Sequence, residues 1–262
     1  MEQYFDFKLI RDGIGVQFSN SLSIEEREIH AYHEILYCED ASLVFYTENQ
    51  KTQMCGEHLF IIPKGKYHMF DLSCVKEFKR LKISIPDHVI KATSVGMFSS
   101  DVCALPSISQ LSKLLINNVC CAMQSGVETV DEFYVSSAVM MLIAELNMLK
   151  MRNGTNRSEN SGNRIIRQII EYVSNGLESD LSVQALAKIA NVSMSYLTHE
   201  FQKEVGISLH RYIVQKRMVY AKELIDLGKK PTKIYTECGY NDYSSFYKAY
   251  RLFHGFRPQK NK

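Results

Sequence analysis

The C-terminal part of the chain contains one helical unit twice, and this repeat constrains the fold more than any other feature. The first copy, SVQALAKIANVSMSYLTHEFQKEVGI, covers residues 182–207, and the second, PTKIYTECGYNDYSSFYKAYRLFHGF, covers residues 231–256. In each copy a short apolar series at helical spacing precedes a turn, and a second series follows Ser193 or Asp242, both of which favour a helix N-cap. The pattern predicts two helix-turn-helix units.

The two copies correspond position by position. Leu186 and Ala190 correspond to Ile234 and Cys238, and after a turn one residue longer Leu197, Phe201 and Gly206 correspond to Phe246, Tyr250 and Gly255. Between the copies, residues 210–226 have apolar residues at helical spacing and predict a long connecting helix. One such unit is a weak signal, whereas two in tandem strongly favour a nucleic-acid-binding domain.

Five aromatic residues are concentrated between Tyr243 and Phe253, within the second unit. Phe246, Tyr250 and Phe253 are spaced i, i+4 and i+7, which predicts a core stripe along one face of a helix. Tyr243, Ser244, Tyr247 and Lys248 then fall on the opposite face, where they are available for recognition.

Charge divides the chain at about residue 163. Residues 1–163 contain 15 Lys and Arg against 20 Asp and Glu, whereas residues 164–262 contain 16 against 9. A basic C-terminal part next to an acidic N-terminal part indicates a nucleic-acid partner for the basic one.

The C-terminal hundred residues resemble the AraC/XylS family of transcriptional regulators. The matching residues of the first unit are Ala187, Ala190, Ser193, Leu197, Phe201 and Gly206; those of the connecting helix are Tyr212, Ile213, Arg217, Met218, Ala221, Leu224 and Ile225; those of the second unit are Gly239, Tyr240, Asp242, Ser244, Phe246, Lys248, Tyr250, Arg251, Gly255 and Pro258. Tyr235 departs from the pattern, because the family usually has a small residue there. The departure predicts a slight splay of the helices in the second unit.

The resemblance implies which residues contact DNA. They are Ser195, Thr198, His199 and Lys203 in the first unit, Arg217 in the connecting helix, and Tyr243, Ser244, Tyr247, Lys248 and Arg251 in the second unit. Lys neutralises phosphate, Ser and Thr bond to base edges or phosphates, and Tyr packs on thymine methyl groups or sugars. Arg and Gln are missing from the usual base-recognition positions, so we expect A·T-rich sites and recognition of DNA shape. Surface salt bridges are an equal alternative for the two arginines, and full burial is the alternative for Tyr247.

The front part of the chain predicts an α+β organisation. Strand patterns at 34–38, 42–47, 58–63 and 80–86 favour a β-barrel over residues 1–105, and two helices follow at 106–150. The first helix has one apolar stripe, formed by Ile108, Leu111, Leu114, Leu115 and Val119, and the second helix is apolar around much of its circumference. Packing on the barrel accounts for one face of the pair, and the remaining apolar surface predicts a dimer interface. Residues 151–163 read as a polar linker, and 164–262 as the all-α DNA-binding domain with its two units joined by the long helix.

The strand region also resembles, more loosely, the cupin-like sensor domain of the same family. His30, His33 and Glu34 lie in a sequence similar to the first cupin motif, although Glu28 replaces one of its histidines, and Pro63-x-Gly65-x-x-His68 matches the second motif. His30, His33, Glu34 and His68 are therefore the candidate effector-pocket residues. Because His33 and Glu34 are neighbours on a strand they face opposite sides, and we predict neither a metal site nor another cofactor. Ordinary structural roles are the alternative.

Together these observations predict a regulator that binds double-stranded promoter DNA, contacts RNA polymerase, activates transcription and is not an enzyme. The same interpretation includes a homodimer, a small-molecule effector or partner at the sensor domain, and a cytoplasmic, nucleoid-associated location. The longest continuous apolar runs, such as residues 138–144, are too short to cross a membrane, and seven scattered cysteines indicate reduced thiols. The alternative is a cupin-type metal-dependent enzyme with an appended DNA-binding module.

Overall fold

The computed structural model describes residues 6–9, 13–19, 29–39, 42–48, 51–71, 79–93, 96–98, 102–105, 107–124, 132–153 and 163–259. Glu28 and residues 154–162 of the predicted linker lie outside these ranges.

The N-terminal domain contains two antiparallel sheets. The strands are β1 Asp6–Leu9, β2 Gly15–Ser19, β3 His33–Cys38, β4 Leu43–Thr47, β5 Lys51–Met54, β6 His58–Ile62, β7 His68–Asp71, β8 Arg80–Ile85 and β9 Cys103–Ala104. Six strands form one sheet in the order β1-β2-β8-β3-β6-β9, and three form the other in the order β5-β4-β7. The four strands predicted from the sequence are confirmed. Hydrogen-bonded closure of the two sheets into a barrel is not seen among the described residues.

Strand β3 lies at the centre of the larger sheet and is buried on both faces. Because side chains alternate along a strand, Ile35 and Tyr37 point into a core formed with the helices. Leu36 and Cys38 point the other way, into a core shared with Phe45 of the smaller sheet. This double burial accounts for the almost continuous apolar sequence of β3.

Three helices complete this domain, α1 Asp87–Thr93, α2 Gln110–Gln124 and α3 Glu132–Asn153. Helices α2 and α3 pack on the larger sheet through residues that include Leu115, Val119, Val139 and Leu142. The predicted stripe on α2 is partly wrong. Its buried positions are Ser112, Leu115, Ile116, Val119, Cys120 and Met123, and the leucines at 111 and 114 are exposed instead.

Helix α3 is long and apolar enough to cross a membrane by length and composition alone. Polar and charged residues interrupt its apolar sequence, so no continuous apolar run indicated this property. Core helices of soluble proteins have the same character, and α3 packs on the sheet through Val135, Val139, Leu142 and Leu146. The helix continues to Asn153, three residues into the predicted linker range.

The C-terminal domain is all-α, as predicted. Its helices are α4 Arg164–Asn175, α5 Val183–Ile189, α6 Met194–Val205, α7 Leu209–Asp226, α8 Pro231–Ile234 and α9 Tyr243–His254. The first unit packs Leu186, Leu197 and Phe201 against α4 and the start of α7. The second unit packs Phe246 and Tyr250 against the end of α7, so the connecting helix contributes to both cores.

Candidate nucleic-acid interface and sensor-domain cluster

Both units end their first helix with the same hydrogen-bonded turn. In the first unit Asn191 has a left-handed φ of 55°, and Val192 N donates to Ala187 O at 3.0 Å. In the second, Gly239 has a φ of 75°, and Tyr240 N donates to Tyr235 O at 3.0 Å. This is the Schellman arrangement, in which a left-handed residue reverses the chain at a helix end. The sequence correspondence of the two copies is therefore a correspondence of backbone geometry.

The second helices begin and end alike as well. Ser193 accepts a hydrogen bond from Tyr196 N at 3.1 Å, and Asp242 accepts one from Ser245 N at 2.8 Å, so both are N-caps as predicted. Gly206 and Gly255 end α6 and α9 with φ values of 89° and 79°.

On α6 the buried face is formed by Leu197, Phe201 and Val205. The predicted recognition residues Ser195, Thr198, His199 and Lys203 are all exposed. The Thr198 hydroxyl donates to the backbone within its own helix, with Met194 O at 3.0 Å, which leaves its oxygen available as an acceptor. The Lys203 ammonium lies 3.4 Å from Glu200 Oε1.

Two exposed side chains in the first turn of α6, Met194 and Tyr196, were not predicted as part of this surface. The signal that could have identified them is their position, because the first turn of the second helix is the part that enters the major groove.

On α9 the aromatic residues divide between two environments. Phe246 and Tyr250 are fully buried, as predicted. Tyr243 and Tyr247 are half-buried at the edge, with ring centroids 6.1 Å apart, so Tyr247 keeps an accessible part. Ser244, Lys248 and Arg251 are exposed. This short helix therefore has two groups of aromatic rings: some form the core, and others border an exposed polar face.

Arg217 has a different environment from the exposed members of the predicted DNA-contacting set. Its Nε donates to Leu177 O at 3.0 Å and its Nη2 to Ser179 O at 3.1 Å, and the guanidinium lies over the Tyr240 ring at 5.7 Å. Burial lowers the pKa of the group. The side chain thus connects α7 to the loop between α4 and α5.

In the sensor domain, three of the four candidate pocket residues meet. His30 Nε2 lies 3.1 Å from Glu34 Oε2, and His68 Nε2 lies 3.8 Å from Glu34 Oε1. All three side chains are buried. Lys82, which the sequence did not indicate, reaches the same carboxylate with Nζ 3.2 Å from Oε2.

His33 does not belong to this cluster. Its Nε2 lies 3.1 Å from Asp87 Oδ1, and its Nδ1 accepts a hydrogen bond from Lys64 N at 3.3 Å. The structure thus places His33 apart from the other three candidate residues, because adjacent strand residues face opposite sides of the sheet.

Burial and charge set the protonation of the cluster. Burial opposes ionisation of Glu34, yet the Lys82 ammonium and His30 together hold the pKa of its carboxyl below the usual range. Burial lowers the pKa of His68 to about 3. Around neutral pH the cluster thus contains a carboxylate and an uncharged His68.

The N-terminal and C-terminal domains are in contact. Glu48, at the end of β4, accepts a hydrogen bond from Tyr212 OH at 2.9 Å and lies 2.6 Å from Lys216 Nζ. Tyr67 OH donates to Val205 O, at the end of α6, at 2.5 Å. The other four residues of these contacts are buried, and Lys216 is half-buried.

One residue, Gly65, joins this interface to the buried cluster. Gly65 N donates to His30 O at 2.8 Å, and Gly65 O accepts from Lys216 Nζ at 2.8 Å. The loop between β6 and β7 therefore contacts the pocket on one side and α7 on the other.

The fold and this surface define a DNA-binding domain with two helix-turn-helix units. A sequence family described as "Helix-turn-helix domain" matches residues 186–261. The "Probable transcriptional regulator LumQ" of Photobacterium leiognathi is 32% identical over 93 residues, which cover 35% of this chain and 38% of LumQ. The Msm operon regulatory protein of Streptococcus mutans is 24% identical over 220 residues, 82% of this chain and 78% of the relative. The chain thus matches about two fifths of the length of LumQ and most of the length of the Msm protein.

Two solved structures are also similar. The C-terminal domain of AraT, a response regulator from Geobacillus stearothermophilus, has 27% identity and a TM-score of 0.37, covering 37% of this chain and 83% of that one. Unsaturated fatty acid-bound ToxT from Vibrio cholerae has 11% identity and a TM-score of 0.43, covering 96% and 95%. The sequence matches support the resemblance of the chain to AraC family transcriptional regulators.

Proposed function

We propose that the chain binds promoter DNA in a sequence-specific manner and regulates transcription from it. The observation that carries the proposal is the repeated geometry of the two units, in which matched turns and caps present α6 and α9 with exposed polar residues. Two such helices on one domain fit successive major-groove segments, about one helical turn (roughly 34 Å) apart.

The exposed side chains support distinct roles. Lys203, Lys248 and Arg251 supply charge for phosphates, and their contribution falls with salt because each neutralised phosphate releases counterions. Ser195, Thr198, His199 and Ser244 supply hydrogen-bonding groups for base edges or phosphates. The accessible parts of Tyr243 and Tyr247 fit thymine methyl groups and sugars, which agrees with an expected preference for A·T-rich sites.

Fluorescence anisotropy with a selected duplex at several salt concentrations tests the DNA-binding surface. Lys248→Ala is expected to weaken binding and to lower the salt slope by about 1. Lys79→Ala is the matched control, because Lys79 is an exposed lysine of the sensor domain paired with Glu39. An unchanged slope for Lys248→Ala would remove this residue from the phosphate-contacting set, and equal effects of the two variants would remove the proposed surface.

We further propose that an effector or partner at the sensor domain controls DNA binding. The supporting observation is the path from His30 through the backbone N–H and C=O of Gly65 to Lys216 of α7, together with the Tyr67 contact to the end of α6. A ligand that moves the β6–β7 loop would change both contacts. Lys216→Met is expected to make DNA affinity insensitive to any effector that alters wild-type affinity, and a full response in that variant would contradict the coupling.

A homodimer through α2 and α3 is part of the same proposal. The two helices expose large apolar side chains, namely Leu111, Leu114, Phe133, Tyr134, Met140, Met141, Met148 and Met151. Large contiguous apolar patches are rare on monomeric proteins, and we propose that these side chains form one. Leu114→Glu is expected to give a monomer in light-scattering measurements, whereas Leu227→Glu, at an exposed apolar position of the other domain, is expected to leave the dimer intact. A monomeric wild-type protein would contradict this part.

The activating role, the contact with RNA polymerase and the cytoplasmic location rest on the family resemblance. A reporter gene placed behind a selected site tests the sign of regulation. Increased expression that is lost in Lys248→Ala supports activation, and reduced expression identifies a repressor.

A further inference from the structure

The buried cluster has the donor set of a metal site. His30 Nε2, His68 Nε2 and the Glu34 carboxylate lie within 4.8 Å of one another. His30 Nδ1 lies 2.8 Å from Tyr32 O and His68 Nδ1 lies 3.4 Å from Lys66 O, so the backbone carbonyls favour protonation at Nδ1 and leave each Nε2 directed at the carboxylate. Backbone acceptors fix metal-binding histidines in the same way.

The charge of the cluster, however, does not fit a divalent ion. Lys82 Nζ lies 3.2 Å from the Glu34 oxygen that also faces His30, and the Lys82 side chain is only 12% exposed. An ammonium at this distance repels a divalent cation bound to the same oxygen. The donors converge, but a positive charge is already among them.

The sheet register explains how Lys82 reaches this position. Glu34 pairs with Ser84 and Leu36 pairs with Lys82 across β3 and β8, so Lys82 and Glu34 are diagonal neighbours on one face of the sheet. The ammonium also lies 5.6 Å over the Tyr32 ring, and this ring stacks on His30 with centroids 4.0 Å apart. The lysine is thus held by a carboxylate on one side and an aromatic face on the other.

We propose that Lys82 takes the place of the metal ion in this sensor domain. Its ammonium is the resident cation of the Glu34 carboxylate, and the wild-type cluster excludes divalent cations. Removal of the ammonium leaves a buried carboxylate and two imidazoles whose Nε2 atoms face it, which are donor types that Zn²⁺ binds.

Zinc binding to purified full-length protein, measured by equilibrium dialysis, tests the proposal. Each protein is compared with its own His68→Gln version, so that zinc bound by cysteines is subtracted. Wild type is expected to show no His68-dependent zinc, whereas Lys82→Met is expected to bind one equivalent at least about 100-fold more tightly than wild type, because the repulsion is gone. Lys79→Met controls for the loss of a lysine elsewhere on the domain.

Thermal unfolding gives a second readout. Lys82→Met is expected to have a lowered Tm that Zn²⁺ raises, because a ligand that binds only the folded state stabilises it, and the Lys82→Met/His68→Gln double variant is expected not to respond. If Lys82→Met does not fold without zinc, Lys82→Gln replaces it in both measurements. Stoichiometric His68-dependent zinc in wild type would overturn the proposal, as would a folded Lys82→Met protein that binds none.

Discussion

Gly206 and Gly255 end equivalent helices in the two units but have different surroundings, which makes them a matched pair. Both have left-handed φ values, 89° and 79°. A Cβ at position 206 would meet the Met69 methyl and lie 3.2 Å from the Tyr46 ring, both in the sensor domain, whereas a Cβ at 255 would have no neighbour within 4 Å. Alanine at either position therefore introduces the same backbone strain, and only Gly206→Ala also disturbs the domain interface.

The magnitudes follow from these surroundings. A left-handed Ala costs about 1–2 kcal/mol relative to Gly, so Gly255→Ala is expected to lose about that amount. Overpacking costs about 1–3 kcal/mol, and the Met69 methyl can rotate away, so we expect Gly206→Ala to lose a further 1–2 kcal/mol or so. Urea unfolding followed by circular dichroism measures the losses.

Hydrogen exchange locates the difference. Gly206→Ala is expected to increase exchange in β7 and at the start of α7, while Gly255→Ala is expected to leave both unchanged. Equal losses of stability with equal exchange in the two variants would refute the proposed packing of α6 on the sensor domain.

Three further perturbations test other parts of the structure. Tyr250→Ala is expected to destabilise the DNA-binding domain by about 3–5 kcal/mol in urea unfolding, since the ring is fully buried; full stability with lost DNA binding would reverse the assignment of faces on α9. Glu48→Gln is expected to destabilise the full chain by about 3 kcal/mol, because the Lys216 ammonium loses its buried partner; an unchanged urea midpoint would contradict the ionic contact. His68 has a pKa of about 3 in the folded protein and an ordinary value in the unfolded one, so the unfolded state binds more protons and stability falls as pH drops from about 6.5 towards 3. Acid titration of wild type and His68→Gln measures this loss, and an equally steep decline in the variant would exclude His68 as a cause.

Features encoded over short sequence distances could be predicted. Each unit is specified by a left-handed turn residue, an N-cap and an apolar series within about 25 residues, so local sequence signals predict its geometry. The same holds for the connecting helix α7, whose buried residues include Met218, Ala221 and Leu224, as the spacing indicated.

Features that depend on contacts between distant parts of the chain could not be predicted from the sequence. The guanidinium of Arg217 donates hydrogen bonds to carbonyl groups about 40 positions earlier in the chain. No local sequence pattern predicts such distant partners. Lys82 meets Glu34 only because β8 pairs with β3 in a particular register. The exposed leucines of α2 are a similar case, since periodicity indicates an apolar face but not which part of it the sheet covers.

The central claim is that two units of one chain recognise DNA sequence together. Selection of the full-length protein on random duplex DNA, followed by sequencing of the bound pool, tests it most directly. The account predicts an enriched site of two unequal blocks about one helical turn apart, and selection with a Ser244→Ala/Lys248→Ala variant is expected to lose one block and keep the other. A bound pool without sequence enrichment, or a variant that loses both blocks equally while remaining folded, would contradict recognition by two separate units.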